Sequence, residues 1–453
     1  MLDLDRAARD IDAGRRGPNV SFHGVTTDSR QGAHGDLFVA LRGERFDGHA
    51  FVDQALAAGA AAAMVDDARG VITHDAALIL VDDTRRALGR LAAAWRARFA
   101  LPLVAITGSN GKTTVKEMIA AILRAHVGDE AVLATSGNLN NDIGVPLMLL
   151  RLRSHHRYAV IEMGMNHLGE IRYLSELSAP TVALVNNAGT AHIGELGSRE
   201  AIAQAKGEIY EGLDRGVALI NADDDFADYW RGLNRARTVV DFGIDRPATV
   251  QGRVEGDVLS VSTPGQSYRV RVSLPGLHNL RNALAACAVA HALGLPDQAV
   301  VSGLNQVEGA KGRLQVKAGV AGARVIDDTY NANPDSMRAA IAVLVREAAP
   351  RILVMGDMGE LGADAPRLHE ELGEEARRAG IEHLFALGDL SAGAARSFGR
   401  QARAFRDLDV LCRELTPLLA PGVTVLVKGS RFMRMERVVQ RLLDGPDHDR
   451  EGH

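Results

Sequence analysis

The sequence has few cysteines, no long apolar segment and no excess of positive charge. Its two cysteines, Cys287 and Cys412, lie far apart in apolar segments, which predicts buried thiols in a reducing, cytoplasmic setting. The longest apolar run, residues 55–65, is too short to cross a bilayer, which takes about 20 residues. The first residues are acidic and lack the basic start of a secretory signal. A net charge of -5 argues against a dedicated nucleic-acid-binding protein, which normally carries a basic face.

The chain is long and rich in glycine. At about 150 residues per domain, 453 residues predict about three domains. Apolar runs that alternate with helical stretches predict an α/β fold. We expect a small α/β unit over residues 1–82, a central parallel sheet with a small antiparallel section over residues 83–315, and a Rossmann-like open sheet over residues 316–453. A helix over residues 84–99, with Thr84 as its N-cap, is predicted to join the first two units. The 47 glycines indicate many tight turns or close backbone approaches.

The clearest motif is a phosphate loop that follows an apolar strand and precedes a helical stretch. Its residues are Gly108, Ser109, Asn110, Gly111, Lys112, Thr113 and Thr114. Backbone N–H groups at the start of a helix can wrap an anion, Lys112 can supply charge to the phosphates, and the Thr113 hydroxyl can bind Mg²⁺. The full pattern has glycine where this chain has Ile106, so the loop is a shorter version. The motif predicts nucleotide binding; the alternative is a glycine-rich turn with a solvated lysine.

Four residues outside the loop are candidates for the same site. Glu162 ends an apolar strand, where a carboxylate in a phosphate-loop protein is well placed for Mg²⁺. His192 follows another strand, Lys206 lies in a helical stretch and Arg313 follows a glycine. Taken singly, each is also compatible with an ordinary turn, loop or surface residue. Residues 356–362 have the spacing Gly-x-x-Gly-x-x-Gly, which is not the dinucleotide fingerprint; we expect them to shape a ligand loop at the carboxyl edge of the third sheet.

Together these segments resemble the Mur ligase family of ATP-dependent amide-forming enzymes. The resemblance runs along essentially the whole chain and keeps the family's order. It rests on six segments: residues 107–114, Glu162-Met163-Gly164, His192, Lys206, residues 276–282 and Gly312-Arg313.

The resemblance implies ATP as the nucleotide and two Mg²⁺ ions. It implies that Thr113, Glu162 and His192 hold Mg²⁺. It also implies that Lys206 is carbamylated by CO₂, which would turn a cation into an anionic ligand for the second ion. The expected catalytic residues are Lys112, Lys206, His192 and Arg313. The expected nucleotide contacts beyond the loop are Asn282 on adenine, Asp328 on the ribose, Arg313 on ribose or phosphate, and His278 and Asn279 around the pocket.

Three segments favour the branch of the family that joins D-alanyl-D-alanine to UDP-N-acetylmuramoyl-tripeptide: residues 135–146, 327–336 and 356–362. The first unit is then expected to capture the UDP-sugar through Asp28, Ser29, Arg30 and His49. The residues expected to line the peptide and dipeptide sites are Thr135, Asn138, Asn141, Tyr330, Asn331 and Asn333. We expect a monomer that binds neither nucleic acid nor membrane. The reaction is expected to pass through an acyl phosphate, with the third unit closing over the central one.

Alternatives remain at this point. A family member with another acceptor, such as the ligase that adds the third stem-peptide residue or a folate polyglutamylating enzyme, should differ at residues 330–334. Outside the family, a nucleotide-gated binding or transport module would release phosphate without an amine acceptor. A small-molecule kinase would give a stable phosphorylated product.

Overall fold

The computed structural model describes residues 1–30, 34–43 and 46–444. Within these ranges the chain forms sheets of five, nine and six strands and one two-stranded pair. The predicted α/β class is confirmed. The large sheets follow one another along the chain, and the third begins at Gln315, the last residue of the predicted central unit. The unit boundaries themselves stay predictions.

The first sheet is small and mostly parallel. The elements of this unit are β1 (Leu2–Asp3), α1 (Leu4–Asp10), β2 (Gly14–Arg16), β3 (Ser21–Phe22), β4 (Val25–Thr26), β5 (Leu37–Val39), α2 (Val52–Ala57), β6 (Ala62–Val65), β7 (Leu78–Leu80) and α3 (Thr84–Arg96). The strand order is β2-β7-β6-β5-β4, with only the β2–β7 pair antiparallel. Strand β6 is buried along its whole length because helices cover both faces of a parallel sheet.

Helix α3 joins the first unit to the second, as predicted, but its N-cap is not Thr84. The Asp83 carboxylate accepts the N–H groups of Arg85 and Arg86, which a carboxylate does well at a helix start. The Thr84 hydroxyl is buried and donates to the Ala40 carbonyl at 2.8 Å. The helix therefore starts one residue earlier than a Thr84 cap would give, and its far end is fixed by the Trp95 indole, which donates to the Leu152 carbonyl.

The central unit contains the largest sheet. Its elements are β8 (Leu103–Thr107), α4 (Lys112–Val127), β9 (Val132–Ala134), α5 (Gly144–Leu149), β10 (Tyr158–Glu162), α6 (Glu170–Ser178), β11 (Val182–Val185), α7 (Ile193–Leu196), α8 (Arg199–Gly207), β12 (Val217–Asn221), α9 (Ala227–Leu233), β13 (Thr238–Gly243), β14 (Val250–Glu255), β15 (Val258–Thr263), β16 (Gln266–Arg271), α10 (Leu277–Ala292) and α11 (Asp297–Asn305). The strand order is β16-β15-β14-β13-β12-β11-β8-β10-β9. The neighbouring strands from β14 to β9 in this order are parallel, and the pairs β14–β15 and β15–β16 are antiparallel. This arrangement confirms the predicted mixed sheet.

Two helices hold the phosphate loop against this sheet. Helix α4 buries Val115, Met118, Ile119 and Ile122, whose spacing of three and four residues forms one apolar face. Helix α10 is buried on most sides, and α4 packs against it. The loop between β8 and α4 is therefore fixed at both ends by buried elements.

The third sheet repeats the parallel pattern. Its unit contains β17 (Gln315–Ala318), β18 (Arg324–Asp327), α12 (Pro334–Leu344), β19 (Arg351–Gly356), α13 (Ala365–Arg378), β20 (His383–Leu387), α14 (Ser391–Phe398), β21 (Ala402–Phe405), α15 (Leu408–Leu415), β22 (Thr424–Lys428) and α16 (Glu436–Asp444). The strand order is β17-β18-β22-β19-β20-β21, and only β17 is antiparallel to its neighbour. Because β22 lies between β18 and β19, the loops after these three strands meet at one edge, where open α/β sheets place ligands.

The first two units share one apolar core. A single cluster of buried side chains includes Leu4 and Phe22 from the first unit and Met148 and Trp230 from the second. Across the described part of the chain, helices long and apolar enough to cross a membrane are absent.

Candidate active site

The site lies at the carboxyl edge of the central sheet, where the strand order reverses around β8. Strand β8 is flanked by β10 and β11, with Glu162 beside Ile106 and Val185 beside Thr107. The loops that follow these three strands therefore start at the same level. They line a cavity of about 1130 Å³ whose opposite wall comes from loops of the third sheet.

The phosphate loop is held tightly at Gly111. Gly111 has φ +80°, and a Cβ there would lie 2.4 Å from the Asn282 side-chain oxygen and 2.8 Å from the Asn186 amide nitrogen. Any other residue would displace these side chains and strain the backbone. Next to it, the Lys112 ammonium donates to the Gly108 carbonyl at 2.6 Å. Burial lowers the pKa of Lys112, and the nearby Glu162 carboxylate partly opposes that shift.

The rest of the loop is fastened to the segment after β11. The Ser109 N–H donates to the Asn187 carbonyl at 3.0 Å, and the Asn110 N–H donates to the Asn187 side-chain oxygen at 2.9 Å. The Ser109 hydroxyl accepts the Gly189 N–H at 2.9 Å. Since the Ser109 and Asn110 N–H groups are occupied, the first turn of α4, which lines the cavity at Lys112 and Thr114, is left to offer N–H groups to an anion.

Glu162 is the best-supported candidate for a magnesium ligand. It is 3% exposed, and its carboxylate accepts the Thr113 hydroxyl and the Asn140 amide, both at 2.9 Å. Its N–H donates to the buried Thr135 hydroxyl at 2.9 Å. Arg313 donates to the Thr113 hydroxyl from the other side at 3.0 Å. Magnesium usually takes one or two protein oxygens and completes its shell with phosphate and water, so Glu162 and Thr113 fit such an ion.

The two other predicted metal ligands differ from each other. His192 lines the same cavity as Glu162, and its Nδ1 lies 2.8 Å from a Glu360 carboxylate oxygen. Lys206 does not line the cavity: it is 1% exposed, and its side-chain amine makes no hydrogen bond or ion pair with the described residues. Burial, helped by the nearby Lys112 charge, holds the pKa of Lys206 well below its ordinary range. Among the described residues, no three His, Cys, Asp or Glu side chains form a ready-made metal cluster.

The five predicted nucleotide residues outside the phosphate loop all line the cavity, and of the loop's seven residues all but Gly108 and Thr113 do so. Asn282 accepts a hydrogen bond from Asn186 at 3.1 Å and donates one to Asn279 at 3.2 Å. Burial, followed by the Lys428 charge, lowers the pKa of His278 to about 4, so its ring is neutral at pH 7. Asp328 accepts a hydrogen bond from the buried Lys428 ammonium at 2.6 Å. One Asp328 carboxylate oxygen is therefore already hydrogen-bonded to Lys428. The contact of Asp328 with a ribose stays a prediction.

Arg313 and Tyr330 form a stacked pair in the cavity wall. The Arg313 guanidinium lies 4.2 Å from the centre of the Tyr330 ring, close enough for a cation–π contact. The Tyr330 ring fixes the plane of the guanidinium, and Nη2 of the same guanidinium donates to the Thr113 hydroxyl. This pair holds a positive charge from the end of the central unit, stacked on a ring of the third unit, beside Thr113 in the cavity wall.

The predicted substrate residues fall into three groups. Those that line the cavity are Asn138, Asn141, Tyr330, Asn331 and Asn333. Thr135 is buried, and its hydroxyl accepts the Glu162 backbone N–H; its contact with substrate stays a prediction. Those outside the cavity wall are Asp28, Ser29, Arg30 and His49.

Sequence reasoning missed several residues of the site. Asn140 and Asn186 hold the Glu162 carboxylate and the phosphate loop. Lys428 ends β22, and its position after a buried apolar strand was a usable signal. Glu360 was included only as part of a loop. Its contact with His192 depends on how two units pack, which no local pattern reveals.

Comparison with known proteins defines the class. The chain matches "Mur ligase family, catalytic domain" over residues 21–96, "Mur ligase middle domain" over residues 106–290 and "Mur ligase, glutamate ligase domain" over residues 312–431. The chain belongs to the Mur ligase family.

The similar proteins narrow this further. The chain is 43% identical over 436 residues to UDP-N-acetylmuramoyl-tripeptide--D-alanyl-D-alanine ligase of Escherichia coli (strain K12), covering 94% of this chain and 95% of that one. It is 35% identical to the protein of the same name from Bacillus subtilis (strain 168), covering 94% of each. Among solved structures, MurF from Acinetobacter baumannii matches with TM-score 0.90 and 39% identity, covering 98% of this chain and 99% of that one. MurF ligase from Thermotoga maritima in complex with ADP matches with TM-score 0.81 and 28% identity, covering 93% and 97%.

Proposed function

We propose that this protein is the ATP-dependent ligase that joins D-alanyl-D-alanine to UDP-N-acetylmuramoyl-tripeptide, a step in making peptidoglycan precursors. The observation that carries the proposal is one cavity with the phosphate loop on one wall and the loops after β18, β19 and β22 on the other. A ligase needs such a cavity because ATP, a carboxylate and an amine must meet in it. The full-length similarity to ligases named for this reaction supports these substrates.

The chemistry has two steps. A carboxylate oxygen of the tripeptide attacks the γ-phosphorus of ATP, ADP leaves, and an acyl phosphate forms. The amine of D-alanyl-D-alanine then attacks the acyl carbon, and phosphate leaves with the former carboxylate oxygen. Both steps concentrate negative charge on phosphate oxygens, which preorganised positive groups stabilise. Lys112 and Arg313 supply positive charge to the phosphate-loop end of the cavity. Lys112 precedes Thr113 in the loop, and Arg313 donates to the Thr113 hydroxyl.

Magnesium fits the oxygen ligands at Glu162 and Thr113, where it would neutralise phosphate charge during transfer. Glu162 needs no rearrangement to serve, because Asn140 and Thr135 already hold its carboxylate and its backbone in place. His192 is proposed as a further ligand, since its ring lies in the same cavity wall.

Carbamylation of Lys206 is proposed from its unusual surroundings. A buried lysine without an anionic partner is costly when charged, so the neutral amine is favoured. A neutral amine is the form that adds to CO₂, and the resulting carbamate would be an anion suited to a second Mg²⁺. Lys116 provides a contrast within the chain, because it is equally buried but donates to the Thr135 carbonyl and to Glu117.

Closure of the third unit over the central one is proposed as the device that keeps water from the acyl phosphate. Two further contacts join the units directly. The Asn333 amide donates to the Asn110 side-chain oxygen at 2.8 Å, and Asp335 accepts the Thr190 N–H and hydroxyl, both at 2.8 Å. Small-angle scattering should show compaction when ATP and substrate are added; unchanged scattering would contradict closure.

The experiment that tests the function measures phosphate release and product mass. With ATP, Mg²⁺ and UDP-N-acetylmuramoyl-tripeptide, sustained release should require D-alanyl-D-alanine, and one amide product should form per phosphate. Release that ignores the dipeptide would favour a nucleotide-gated module, and a stable phosphorylated product would favour a kinase. A different required amine would favour another branch of the family. The UDP-sugar contacts of the first unit, the monomeric state and the cytoplasmic location stay predictions.

A further inference from the structure

Glu360 belongs to the third unit and contacts the central unit. It lies in the loop after β19, and its backbone has φ +63°, an uncommon conformation for a residue with a side chain. Its carboxylate oxygen lies 2.8 Å from His192 Nδ1. Its carbonyl accepts the Gly194 N–H at 2.9 Å, so the same residue is held at both its backbone and its side chain.

The loop can approach this closely only because Gly194 has no side chain. A Cβ on Gly194 would lie 2.6 Å from the Gly362 nitrogen and 2.8 Å from the Glu360 carbonyl oxygen. His192 is itself in a left-handed conformation, with φ +66°, at the start of α7. Two uncommon backbone conformations thus face each other across the junction, and the carboxylate and the imidazole are the groups that they bring together.

The contact has a specific chemical consequence for the ring. A carboxylate beside Nδ1 keeps the proton on that nitrogen, which leaves the Nε2 lone pair free. A histidine that binds a metal through one nitrogen commonly donates from the other to a carboxylate, and this partner sets both the tautomer and the ring orientation. In this structure the carboxylate and Nδ1 lie at ion-pair distance, and a small rotation of either group would complete the hydrogen bond.

We propose that Glu360 is a positioning residue that fixes the tautomer and orientation of His192 for metal binding. The proposal rests on the proposed role of His192 as a magnesium ligand. Because Glu360 belongs to the third unit, His192 is oriented for the ion only while that unit lies against the central one. Metal affinity and domain contact are then linked, and each favours the other.

A matched control separates positioning from simple attachment of the two units. Asp335 also reaches from the third unit to the central one, where it accepts two hydrogen bonds from Thr190, two residues before His192. It does not touch the His192 ring. Loss of Asp335 removes an inter-unit contact and leaves the Glu360–His192 pair, whereas loss of Glu360 removes the pair.

The test is binding of Mn²⁺, followed by electron paramagnetic resonance, to the full chain with a non-hydrolysable ATP analogue. Removal of a residue that orients a metal ligand typically weakens affinity about 10- to 100-fold. We expect that loss in E360A, a smaller loss in E360Q because its amide oxygen can still accept from Nδ1, and the smallest loss in D335A, which weakens only the contact between the units. In turnover, E360A should raise the Mg²⁺ requirement in the same ratio, and excess Mg²⁺ should restore its kcat.

Three results would overturn the proposal. Mn²⁺ affinity of E360A within twofold of the unchanged protein would show that the carboxylate does not act on the ligand. Equal weakening in D335A and E360A would show that attachment of the units is the cause. Unchanged Mn²⁺ affinity in H192A would remove the premise, and persistence of dipeptide-dependent ligation in that variant would show that the proposed function survives without it. Circular dichroism of each variant, with E360Q as the conservative change, guards against misfolding.

Discussion

The phosphate-loop edge and the predicted UDP-sugar residues of the first unit are built in opposite ways. At the edge, Glu162 is buried, and side chains at the ends of β10 and β11 hold the start of α4 and the loop. In the first unit, Arg30 is 82% exposed, and its partner among the described residues is Asp28, two residues away, at 2.9 Å. His49 is more protected, but its ring nitrogens face Asp47 and Asp66 within the same unit.

This difference matches what each region is proposed to do. Charge that must stabilise a transition state works best when it is already in place and shielded from water. An exposed ion pair contributes about 0–1 kcal/mol to stability and can open at little cost when a ligand offers a better partner. Substitutions at the loop should therefore change the rate of chemistry, and substitutions in the first unit should change substrate binding.

The largest effect is expected at Lys112. The K112A variant should lose about 10³-fold or more in kcat, because loss of one preorganised group at a developing charge typically costs 10²–10³-fold and this group is charged. Phosphate release at saturating substrates measures it. The exposed Lys311 offers a control, and K311A should retain its kcat. Near-normal turnover by K112A would contradict the phosphate-loop assignment.

Lys206 should give the next largest effect. K206M should lose at least about 10²-fold in kcat, because an anionic metal ligand cannot form, and added bicarbonate should not restore it. Isotopically labelled bicarbonate should give a carbamate signal in the unchanged protein and none in K206M. Lys116 should not take the label, because its ammonium already has two oxygen partners. Full activity in K206M would show that Lys206 is an ordinary buried lysine.

Arg30 should give a moderate effect of a different kind. R30A should raise KM for the UDP-linked tripeptide about tenfold and leave kcat unchanged, the signature of a group that binds substrate and transition state alike. The chain contains a close geometric copy, since Arg69 is 92% exposed and pairs with Asp67 through the same backbone and side-chain hydrogen bonds. R69A should leave both constants unchanged. Equal KM and kcat in R30A and R69A would show that Arg30 does not bind the substrate.

The smallest effect concerns stability and His278. The folded protein holds the pKa of His278 at about 4, whereas an unfolded histidine binds its proton near an ordinary pKa of ~6.5. The unfolded state therefore binds more protons between these values, and stability falls as pH drops through that window. In urea unfolding, H278Q should lose less stability than the unchanged protein between pH 7 and pH 4, and the exposed-site variant H126Q should follow the unchanged protein. Parallel curves for all three would contradict a half-buried, neutral His278.

The site's framework could be predicted because its signals are local. The phosphate loop is one uninterrupted segment between a buried strand and an amphipathic helix, and the structure has β8 and α4 at those positions. Glu162 follows the rule that polar residues at the carboxyl ends of parallel strands meet at one edge. The resemblance to a family extended this reading to His192 and Arg313, which no local pattern distinguishes from ordinary residues.

What escaped prediction depends on distant parts of the chain. Strands β9, β13 and β21 are short or partly exposed, so the apolar pattern alone did not reveal them. The cap of α3 went to Asp83 because the backbone geometry, and not the residue type, selects between neighbouring polar side chains. Glu360 and Lys428 reach their partners through strand order and the packing of two units. Neither strand order nor packing can be inferred from a short sequence segment.

The most direct test of the account follows the oxygen atoms of the carboxylate. UDP-N-acetylmuramoyl-tripeptide with both terminal carboxylate oxygens labelled is turned over with ATP and D-alanyl-D-alanine, and the phosphate and peptide are analysed by mass spectrometry. An acyl phosphate predicts that one labelled oxygen appears in each phosphate and the other remains in the new amide. Unlabelled phosphate would mean that water, and not the substrate carboxylate, takes the phosphoryl group, and would contradict the account.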